Sequence, residues 1–280
     1  MAEITASDVA KLREMTNVGM MECKKALIEA NGDINLAVEI LRKKGIASAA
    51  KKAGREAREG VIAQYIAPGA KIGVLVEVNC ETDFVARNEV FKAFAELVAK
   101  KLAENPNANY ETEKLDTFNR LRENIKVSRF TRYEVEGNGL VAAYIHTGSK
   151  VGVLVEVGAG KEETVRNDKF KSLVKDITLQ IAAANPFVVS RENVPADVLA
   201  KEREIAAEQV KNKPQQVIEK IVAGKLEKFY QSYCLLDQGF VRQNGEITVK
   251  DYINGIAKEL GDTITVKRFV RFQVGESFAS

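Results

Sequence analysis

The sequence predicts an α+β protein in which a helical N-terminal module precedes a duplicated core. Residues 60–78 (GVIAQYIAPGAKIGVLVEV) and 139–157 (GLVAAYIHTGSKVGVLVEV) are nearly the same segment written twice, and residues 121–135 resemble residues 260–274 in the same way. Internal similarity of this kind indicates one structural unit repeated along the chain. The N-terminal part instead shows only helical periodicity, which separates it from the two copies.

Composition places the chain among ordinary globular proteins. With 280 residues, 45% hydrophobic and 29% charged, it is expected to be soluble, with roughly two domains. No apolar run approaches the roughly 18 residues of a membrane helix, and Met1–Thr5 has no signal-peptide character, so we expect a cytoplasmic protein without membrane contact. The net charge of +3 does not imply nucleic-acid binding. Three cysteines without metal-ligand spacing are expected to be reduced thiols.

Residues 1–45 read as a compact unit of three short helices. Thr5 can cap the first helix with Asp8 at its third position, and Asp33 can cap the third helix, which we expect to end at Gly45. The third helix carries one apolar stripe, formed by Ile34, Ala37, Val38 and Leu41. A unit this small is either a docking module or is supported by a larger neighbour.

Residues 46–59 are predicted to be a basic, partly helical linker. The basic residues around it are Arg42, Lys43, Lys44, Lys51, Lys52, Arg55 and Arg58, with Glu56 as the one acid between them. Such a run is most often a solvated connector, and docking to a partner or contact with nucleic acid are the alternatives.

Each copy is predicted to run hairpin, helix, helix, strand, giving one core subdomain over residues 60–138 and a second over residues 139–280. Pro68-Gly69 fits the central pair of a tight turn, which predicts a hairpin from about residue 61 to residue 78. Asn88 can cap the helix that follows. The apolar stripes of this helix and of its counterpart predict core packing against the hairpin.

The second copy contains an insertion between about Pro186 and Val249. Two weak apolar stripes separated by a break at residues 211–214 predict a pair of helices at about residues 190–235. Such a pair is expected to form an antiparallel hairpin that projects from the core.

Enzyme chemistry is not indicated. The only histidine is His146, at the end of a predicted strand, and the sequence has no nucleophile elbow, no Walker loop, no dinucleotide fingerprint and no His/Asp/Glu cluster with metal spacing. Thr147–Lys150 resembles part of a phosphate loop, but it lies in a hairpin turn with no helix after it. We therefore expect no enzymatic activity, no cofactor and no metal.

The loop Glu81–Val85 places an aromatic side chain beside a carboxylate where a strand ends. Burying a phenylalanine is worth about 1.5–3 kcal/mol, so either the protein's own core or a partner is expected to cover Phe84. The second copy has no aromatic residue in the corresponding loop. The shared frame therefore does not need Phe84 for packing, and a side chain that inserts into a partner becomes the better hypothesis.

Two segments also resemble a known family. LREMTNVGMMECKKAL, residues 12–27, and EVNCETDFVAR, residues 77–87, are similar to the two signature segments of the bacterial and organellar translation elongation factor Ts family. The similarity extends over essentially the whole chain. It implies a ubiquitin-associated-like three-helix module, two similar core subdomains and a helical hairpin inserted in the second.

The resemblance also implies a function: a guanine nucleotide exchange factor that promotes GDP release from elongation factor Tu during translation elongation. The implied partner is elongation factor Tu in its GDP-bound and nucleotide-free forms, without direct nucleic-acid contact, and a dimer of heterodimers is left open. In this family the loop matching Thr82, Asp83, Phe84 and Val85 inserts its aromatic residue into the GTPase and disturbs the magnesium and phosphate site. Further implied contacts are Met20, Met21, Leu121 and His146, and for the methionines simple core filling remains the alternative.

A second hypothesis belongs to another class. The N-terminal helices and the basic run at residues 42–58 could form a nucleic-acid-binding module, whose affinity would fall steeply with salt.

Overall fold

The computed structural model describes residues 4–16, 18–210 and 214–276. In this part of the chain, eleven α-helices and six β-strands form the predicted α+β arrangement. The helices are α1 (Ala6–Thr16), α2 (Met20–Glu29), α3 (Ile34–Lys52), α4 (Asp83–Ala86), α5 (Glu89–Glu104), α6 (Glu111–Leu121), α7 (Glu162–Arg166), α8 (Asp168–Ala184), α9 (Ala196–Glu208), α10 (Gln215–Tyr233) and α11 (Val249–Leu260). The strands are β1 (Glu59–Ile66), β2 (Ile72–Cys80), β3 (Lys126–Glu134), β4 (Gly139–Ile145), β5 (Val151–Ala159) and β6 (Ile264–Gln273).

The first three helices form the predicted N-terminal module around their own small core. Leu12, Cys23 and Leu27 are fully buried in it. The predicted cap of α1 is confirmed, because the Asp8 amide donates to Thr5 Oγ1 at 3.2 Å and the Thr5 amide donates to Asp8 Oδ2 at 3.0 Å. The Thr5 hydroxyl also donates to Asp8 Oδ2 at 2.7 Å, and this hydrogen bond, followed by the one from the Thr5 amide, holds the pKa of Asp8 below its usual value.

The prediction that α3 ends at Gly45 is wrong, because the helix continues without a break to Lys52. A β-carbon on Gly45 would lie only 2.6 Å from Oδ1 of Asn119 in α6. The glycine therefore permits close packing between α3 and the core, which a pattern in the sequence does not distinguish from a helix stop. As a result, the third helix crosses the predicted boundary between module and linker.

The predicted order of hairpin, helix, helix and strand is confirmed in both copies. The strands form two antiparallel sheets, ordered β1-β2-β3 and β4-β5-β6, and α5 and α8 cover one face of each. The Pro68-Gly69 turn is also confirmed, because the Ala70 amide donates to the Ala67 carbonyl at 2.9 Å. Gly69 has a φ of 84°, which a side chain at this position of the turn would disfavour.

The other faces of the two sheets pack against each other about an approximate twofold axis. The Ile62 amide donates to the Ser149 carbonyl at 2.7 Å, and the equivalent Val141 amide donates to the Ala70 carbonyl at 2.8 Å. The buried side chains between the sheets are also equivalent in pairs, formed by Ile62 and Val141, Leu75 and Leu154, and Tyr133 and Phe272. The duplication therefore builds its own intramolecular interface.

Charged side chains follow the same reciprocal pattern. Lys71 donates to the Gly139 carbonyl at 3.0 Å, and its equivalent Lys150 donates to the Gly60 carbonyl at 3.0 Å. In each copy a buried glutamate accepts from an arginine that stacks on an aromatic ring of the other copy. These groups are Glu77, Arg129 and Phe272, and Glu156, Arg268 and Tyr133.

The insertion contributes α9 and α10, which pack against each other within the predicted range of residues 190–235. The predicted break begins in residues 211–213, which lie outside the described residues, and Pro214 immediately precedes α10. Arg191 ties the pair to the core, because its guanidinium bonds to Glu227 on α10 and to Asp237 after it.

No helix among residues 4–16, 18–210 and 214–276 is long and apolar enough to cross a membrane. In the same ranges, no cluster of three or more His, Cys, Asp or Glu side chains has the arrangement of a metal site.

Candidate partner-binding site

Phe84 is the most exposed large hydrophobic residue among those that the structure describes. Its side chain is 81% exposed and stands on the single-turn helix α4, directly after β2. The alternative in which the protein's own core buries Phe84 is therefore wrong.

The residues around Phe84 are held firmly although Phe84 itself is free. Thr82 caps α4, since its Oγ1 accepts from the Val85 amide at 3.3 Å. On the far side of the turn, Ala86 is buried and Val85 is packed against the core of the first subdomain. The turn therefore presents one ring to solvent from a fixed base. We call residues 81–88 the Phe84 turn.

Glu123, in the connection between α6 and β3, anchors this turn from below. Its carboxylate accepts from the amides of Glu81 and Thr82, both at 3.0 Å, and from the Thr82 hydroxyl at 2.6 Å. Three donors on one carboxylate fix the direction in which the chain leaves β2. A charge-assisted hydrogen bond of this kind is stronger than a neutral one.

Glu81 makes the reverse connection. Its Oε1 accepts from the Asn124 amide at 2.7 Å, and its Oε2 lies 3.3 Å from the guanidinium of Arg55 in the linker. The Asn124 hydrogen bond, followed by the bond from Arg55, holds the pKa of Glu81 below its usual value of 4.5. Glu81 is therefore ionised at neutral pH and joins the turn to the linker.

Asp83 and Arg87 form an exposed ion pair across α4, with 2.9 Å between Arg87 Nη2 and Asp83 Oδ2. In the second copy, Glu162 and Arg166 form the same pair across α7. An exposed pair at this spacing contributes about 0.3–0.5 kcal/mol. The pairing of Asp83 is thus part of the shared frame of both copies.

Cys80 lies under the turn as a buried thiol. Its Sγ–H donates to the Thr82 carbonyl at 3.2 Å. Burial, with a smaller contribution from the Glu123 charge, raises its pKa to about 12. A thiol in this state is a packing residue and not a nucleophile.

Met20 and Leu121 line one cleft between the N-terminal module and the first core subdomain. The cleft has a volume of about 570 Å³. Asn88, the last residue of the Phe84 turn, and Val90 complete its wall together with Ala10, Arg13, Glu14 and Arg120. The structure therefore brings Met20, Leu121 and the end of the Phe84 turn together. Met20 is 54% exposed and Met21 is 66% exposed, so the core-filling alternative for these two residues is wrong.

His146 is not among the residues that line this cleft. It lies at the β4–β5 turn of the second subdomain, exposed, with its Nδ1 3.0 Å from the Tyr144 hydroxyl. Five of the eight expected site residues thus lie in the first subdomain, Met20 and Met21 lie on α2 of the N-terminal module, and His146 lies in the second subdomain.

Glu81 and Glu123 hold the site but are not among the residues predicted for it. A signal for them is present in the sequence, because the duplicated segments LRENIKV and LGDTITV carry an acid, Glu123 or Asp262, at the same register. Asp262 accepts from the Lys161 amide at 2.9 Å and from the Thr164 hydroxyl at 2.6 Å in the second copy. An acid that recurs at the same position of both copies indicates a carboxylate that accepts hydrogen bonds from the backbone amides of the neighbouring turn.

Comparison with known proteins identifies the family of the chain. The model of the family described as Elongation factor TS matches residues 81–276. Elongation factor Ts of Symbiobacterium thermophilum is 47% identical over 285 residues, covering 99% of this chain and 93% of the relative. Elongation factor Ts of Clostridium botulinum (strain Eklund 17B / Type B) is 45% identical, with coverages of 98% and 93%, and that of Nostoc punctiforme is 43% identical, with coverages of 99% and 94%. The chain belongs to the elongation factor Ts family.

Proposed function

We propose that this protein promotes GDP release from elongation factor Tu by inserting Phe84 into the GTPase. Membership in the elongation factor Ts family implies a nucleotide exchange factor for elongation factor Tu in protein biosynthesis. Our proposal adds three details to this family function. Phe84 inserts into the GTPase, the insertion disturbs the magnesium and phosphate site, and the protein binds both the GDP-bound and the nucleotide-free partner.

The exposure of Phe84 on an anchored turn carries the proposal. A ring that remains in water forgoes about 1.5–3 kcal/mol of burial free energy, which a partner can supply by covering it. The turn around the ring is already fixed by Thr82 and Glu123, so little conformational entropy is lost on binding. Buried aromatic anchors of this kind dominate many interfaces.

Linkage supplies the mechanism. If the factor and GDP each weaken the other's binding to the GTPase, both effects have the same coupling free energy. The factor then accelerates release without forming a covalent bond. In this mechanism the Phe84 ring acts only by occupying space in the GTPase that is closed when GDP is bound.

The exposed methionines of α2 extend the proposed contact surface. Met20 and Met21 are flexible, polarizable side chains that adapt to an irregular partner surface. Leu121 borders the same cleft as Met20, so we include it in the surface, with Asp83 as a weaker contributor. His146 would make a separate contact from the second subdomain. Assembly into a dimer of heterodimers and action in the cytoplasm stay predictions.

Release of labelled GDP from elongation factor Tu tests the proposal. The wild-type protein should accelerate release, and Phe84→Ala should remove most of that acceleration while the melting temperature stays unchanged, because no internal cavity opens. Normal acceleration by a folded Phe84→Ala protein would refute the inserted-aromatic proposal. No acceleration by the wild-type protein would refute the exchange function itself.

The nucleic-acid alternative draws little support from the basic run. Four of its cations are already paired or bonded, because Lys44 pairs with Glu29, Arg55 pairs with Glu81, Arg58 pairs with Glu56, and Lys52 donates to the Arg122 carbonyl. RNA binding with a steep salt dependence would restore this alternative.

A further inference from the structure

The turn between α6 and β3, residues 122–124, bonds to three separate parts of the molecule. Arg122 pairs with Glu22 on α2 of the N-terminal module, and its carbonyl accepts from Lys52 at the end of α3. Glu123 anchors the Phe84 turn. Asn124 bonds the linker. We call residues 122–124 the hub.

The linker contacts of Asn124 are specific. Its side-chain amide donates to the carbonyls of Ala53 at 3.2 Å and Arg55 at 2.8 Å, while its backbone amide donates to Glu81. Arg55 in turn pairs with Glu81. The linker that leaves the N-terminal module and the base of the Phe84 turn are therefore bonded to the same residue.

The second copy shows which hub features the frame requires. Its equivalent turn is Gly261, Asp262 and Thr263, and Asp262 anchors the equivalent loop as Glu123 does. Gly261 and Arg122 both have a φ of 59°. The left-handed region suits glycine and disfavours a side chain, so the frame itself favours glycine at this position.

Arg122 therefore adopts with a side chain the same left-handed conformation that the second copy adopts with glycine, so only Arg122 bears the strain. In exchange for this strain the position gains a side chain that glycine lacks. The side chain reaches the N-terminal module, and no such module precedes the second copy. Strain of this kind persists where surrounding contacts over-determine it, and it points to a role for the residue.

We propose that the hub is a positioning device that sets the N-terminal module and the Phe84 turn at one fixed distance and orientation. The proposal rests on the proposed function and deepens it, because the exposed methionines on α2 and the Phe84 ring would then meet the GTPase as one rigid surface. Glu123 and Arg122 are the positioning residues. They act by pre-organisation, since a surface set before binding loses less entropy on contact.

The first test removes the anchor. Glu123→Ala should lower the maximal rate of GDP release from elongation factor Tu by about tenfold or more, because small misplacements of an acting group have effects of this size. Glu123→Gln keeps an acceptor for the two amides and should restore most of the rate. Asp262→Ala removes the matched anchor of the second copy and should lower the melting temperature comparably while leaving release within about twofold.

The outcomes separate the role from general destabilisation. Equal losses of release rate in Glu123→Ala and Asp262→Ala, or a wild-type rate in Glu123→Ala, would overturn the proposal. If Phe84→Ala slows release but Glu123→Ala does not, the hub proposal fails and the proposed function stands. If Phe84→Ala is without effect, the inserted-aromatic proposal fails, and if the wild-type protein does not accelerate release, the exchange function fails.

The second test concerns Arg122. Arg122→Gly installs the residue of the second copy, relieves the left-handed strain and should not lower the melting temperature. It should nevertheless raise the concentration of factor needed for half-maximal release by roughly threefold or more, because the module is no longer oriented. A variant that is stable and exchanges normally would contradict the proposed role of Arg122.

A charge reversal distinguishes the Arg122–Glu22 pair from direct contact with the partner. Glu22→Arg and Arg122→Glu should each raise the concentration of factor needed for half-maximal release. The double variant should restore the wild-type concentration, because the pair is re-formed with opposite signs. Failure of the double variant to recover would show that these side chains act on the partner and not on each other.

Discussion

The Phe84 turn and its counterpart in the second copy, residues 160–167, have the same construction and opposite chemistry. Both begin at the end of a central strand, both contain one helical turn closed by an arginine–carboxylate pair, and both are anchored by an acid from the α–β connection. This segment is also where the two copies diverge in sequence. The two copies therefore differ in their side chains at this segment but share its backbone structure.

Six of the eight positions differ between the two turns, and only one of the six is exposed in both copies. Phe84 corresponds to Glu163, and both side chains are exposed. Each turn ends in an asparagine that caps the next helix, because Asn88 accepts from the Val90 amide and Asn167 from the Lys169 amide, both at 2.9 Å. The second copy thus shows that the frame is stable with a charged residue at this position. The aromatic residue of the first copy is consequently free to serve an interface.

The largest expected effect comes from exchanging these two residues. The double variant Phe84→Glu, Glu163→Phe keeps composition and net charge, and it should fold with a nearly unchanged melting temperature. It should lose catalysed GDP release by about 30-fold or more, as expected for an interface hot spot worth at least about 2 kcal/mol.

The single variant Glu163→Phe is the control for this exchange. It should release GDP at the wild-type rate, because Phe84 remains in place. Retained release in the double variant would mean that the two turns are interchangeable and that the position of the aromatic residue does not matter for function.

The sheet interface should respond symmetrically, in contrast to the two turns. A β-carbon on Gly73 would lie 2.5 Å from Val141 Cγ1, and one on Gly152 would lie 2.5 Å from Ile62 Cγ2. Gly73→Ala and Gly152→Ala should therefore each lower the free energy of unfolding by about 1–3 kcal/mol through overpacking, as measured by denaturant titration.

Gly224 in α10 is the matched control for the interface glycines. A β-carbon there meets nothing within 4 Å, and the residue is in a helix interior. Gly224→Ala should leave stability unchanged or raise it by up to about 1 kcal/mol. A large loss in only one of Gly73→Ala and Gly152→Ala would show that the two copies do not share the interface equally.

A smaller effect is expected on acid stability. Hydrogen bonds from Asn124 and Arg55 lower the pKa of Glu81, so its contribution is complete above the usual pKa of 4.5 and is lost as pH falls through the lowered value. The melting temperature of the wild-type protein should accordingly fall as the pH is lowered from about 5 to about 3, and Glu81→Gln should show a smaller part of this fall.

Asp262 gives the second-copy comparison for acid stability. Its hydroxyl bond from Thr164 lowers its pKa in the same direction, from a usual value of 3.8. The Asp262→Asn variant should therefore also lose part of the acid sensitivity, with the difference appearing at lower pH than for Glu81→Gln. Identical acid profiles for wild type and both variants would show that neither anchor is coupled to folding.

The smallest effect concerns the thiol under the Phe84 turn, which the second copy replaces with Ala159. Burial raises the pKa of Cys80 to about 12 and that of Cys234 to about 11. At about pH 8 a thiol reagent should therefore label the native protein very slowly and all three cysteines rapidly in urea. Fast labelling of Cys80 in the folded protein would mean that the turn opens often and is not a fixed base.

Patterns that act over a few residues can be predicted from the amino-acid sequence alone. The Thr5–Asp8 cap, the Pro68-Gly69 turn and the order of elements in both copies follow from local hydrogen bonding and side-chain periodicity, which the sequence carries directly. The duplication adds long-range information, because a residue that differs between two copies of one frame is not required by that frame. This is why the sequence singles out Phe84.

Relations between distant segments are decided only in the folded chain. Gly45 looks like a helix stop, yet α3 continues past it, and the glycine instead leaves space for Asn119, which is far along the chain. The bonds of residues 122–124 to α2, α3, the linker and the Phe84 turn join four segments that no local pattern connects. Close packing and hydrogen-bond partners depend on which surfaces meet, and that is settled by the cooperative burial of the whole core and not by the neighbours of a residue in sequence.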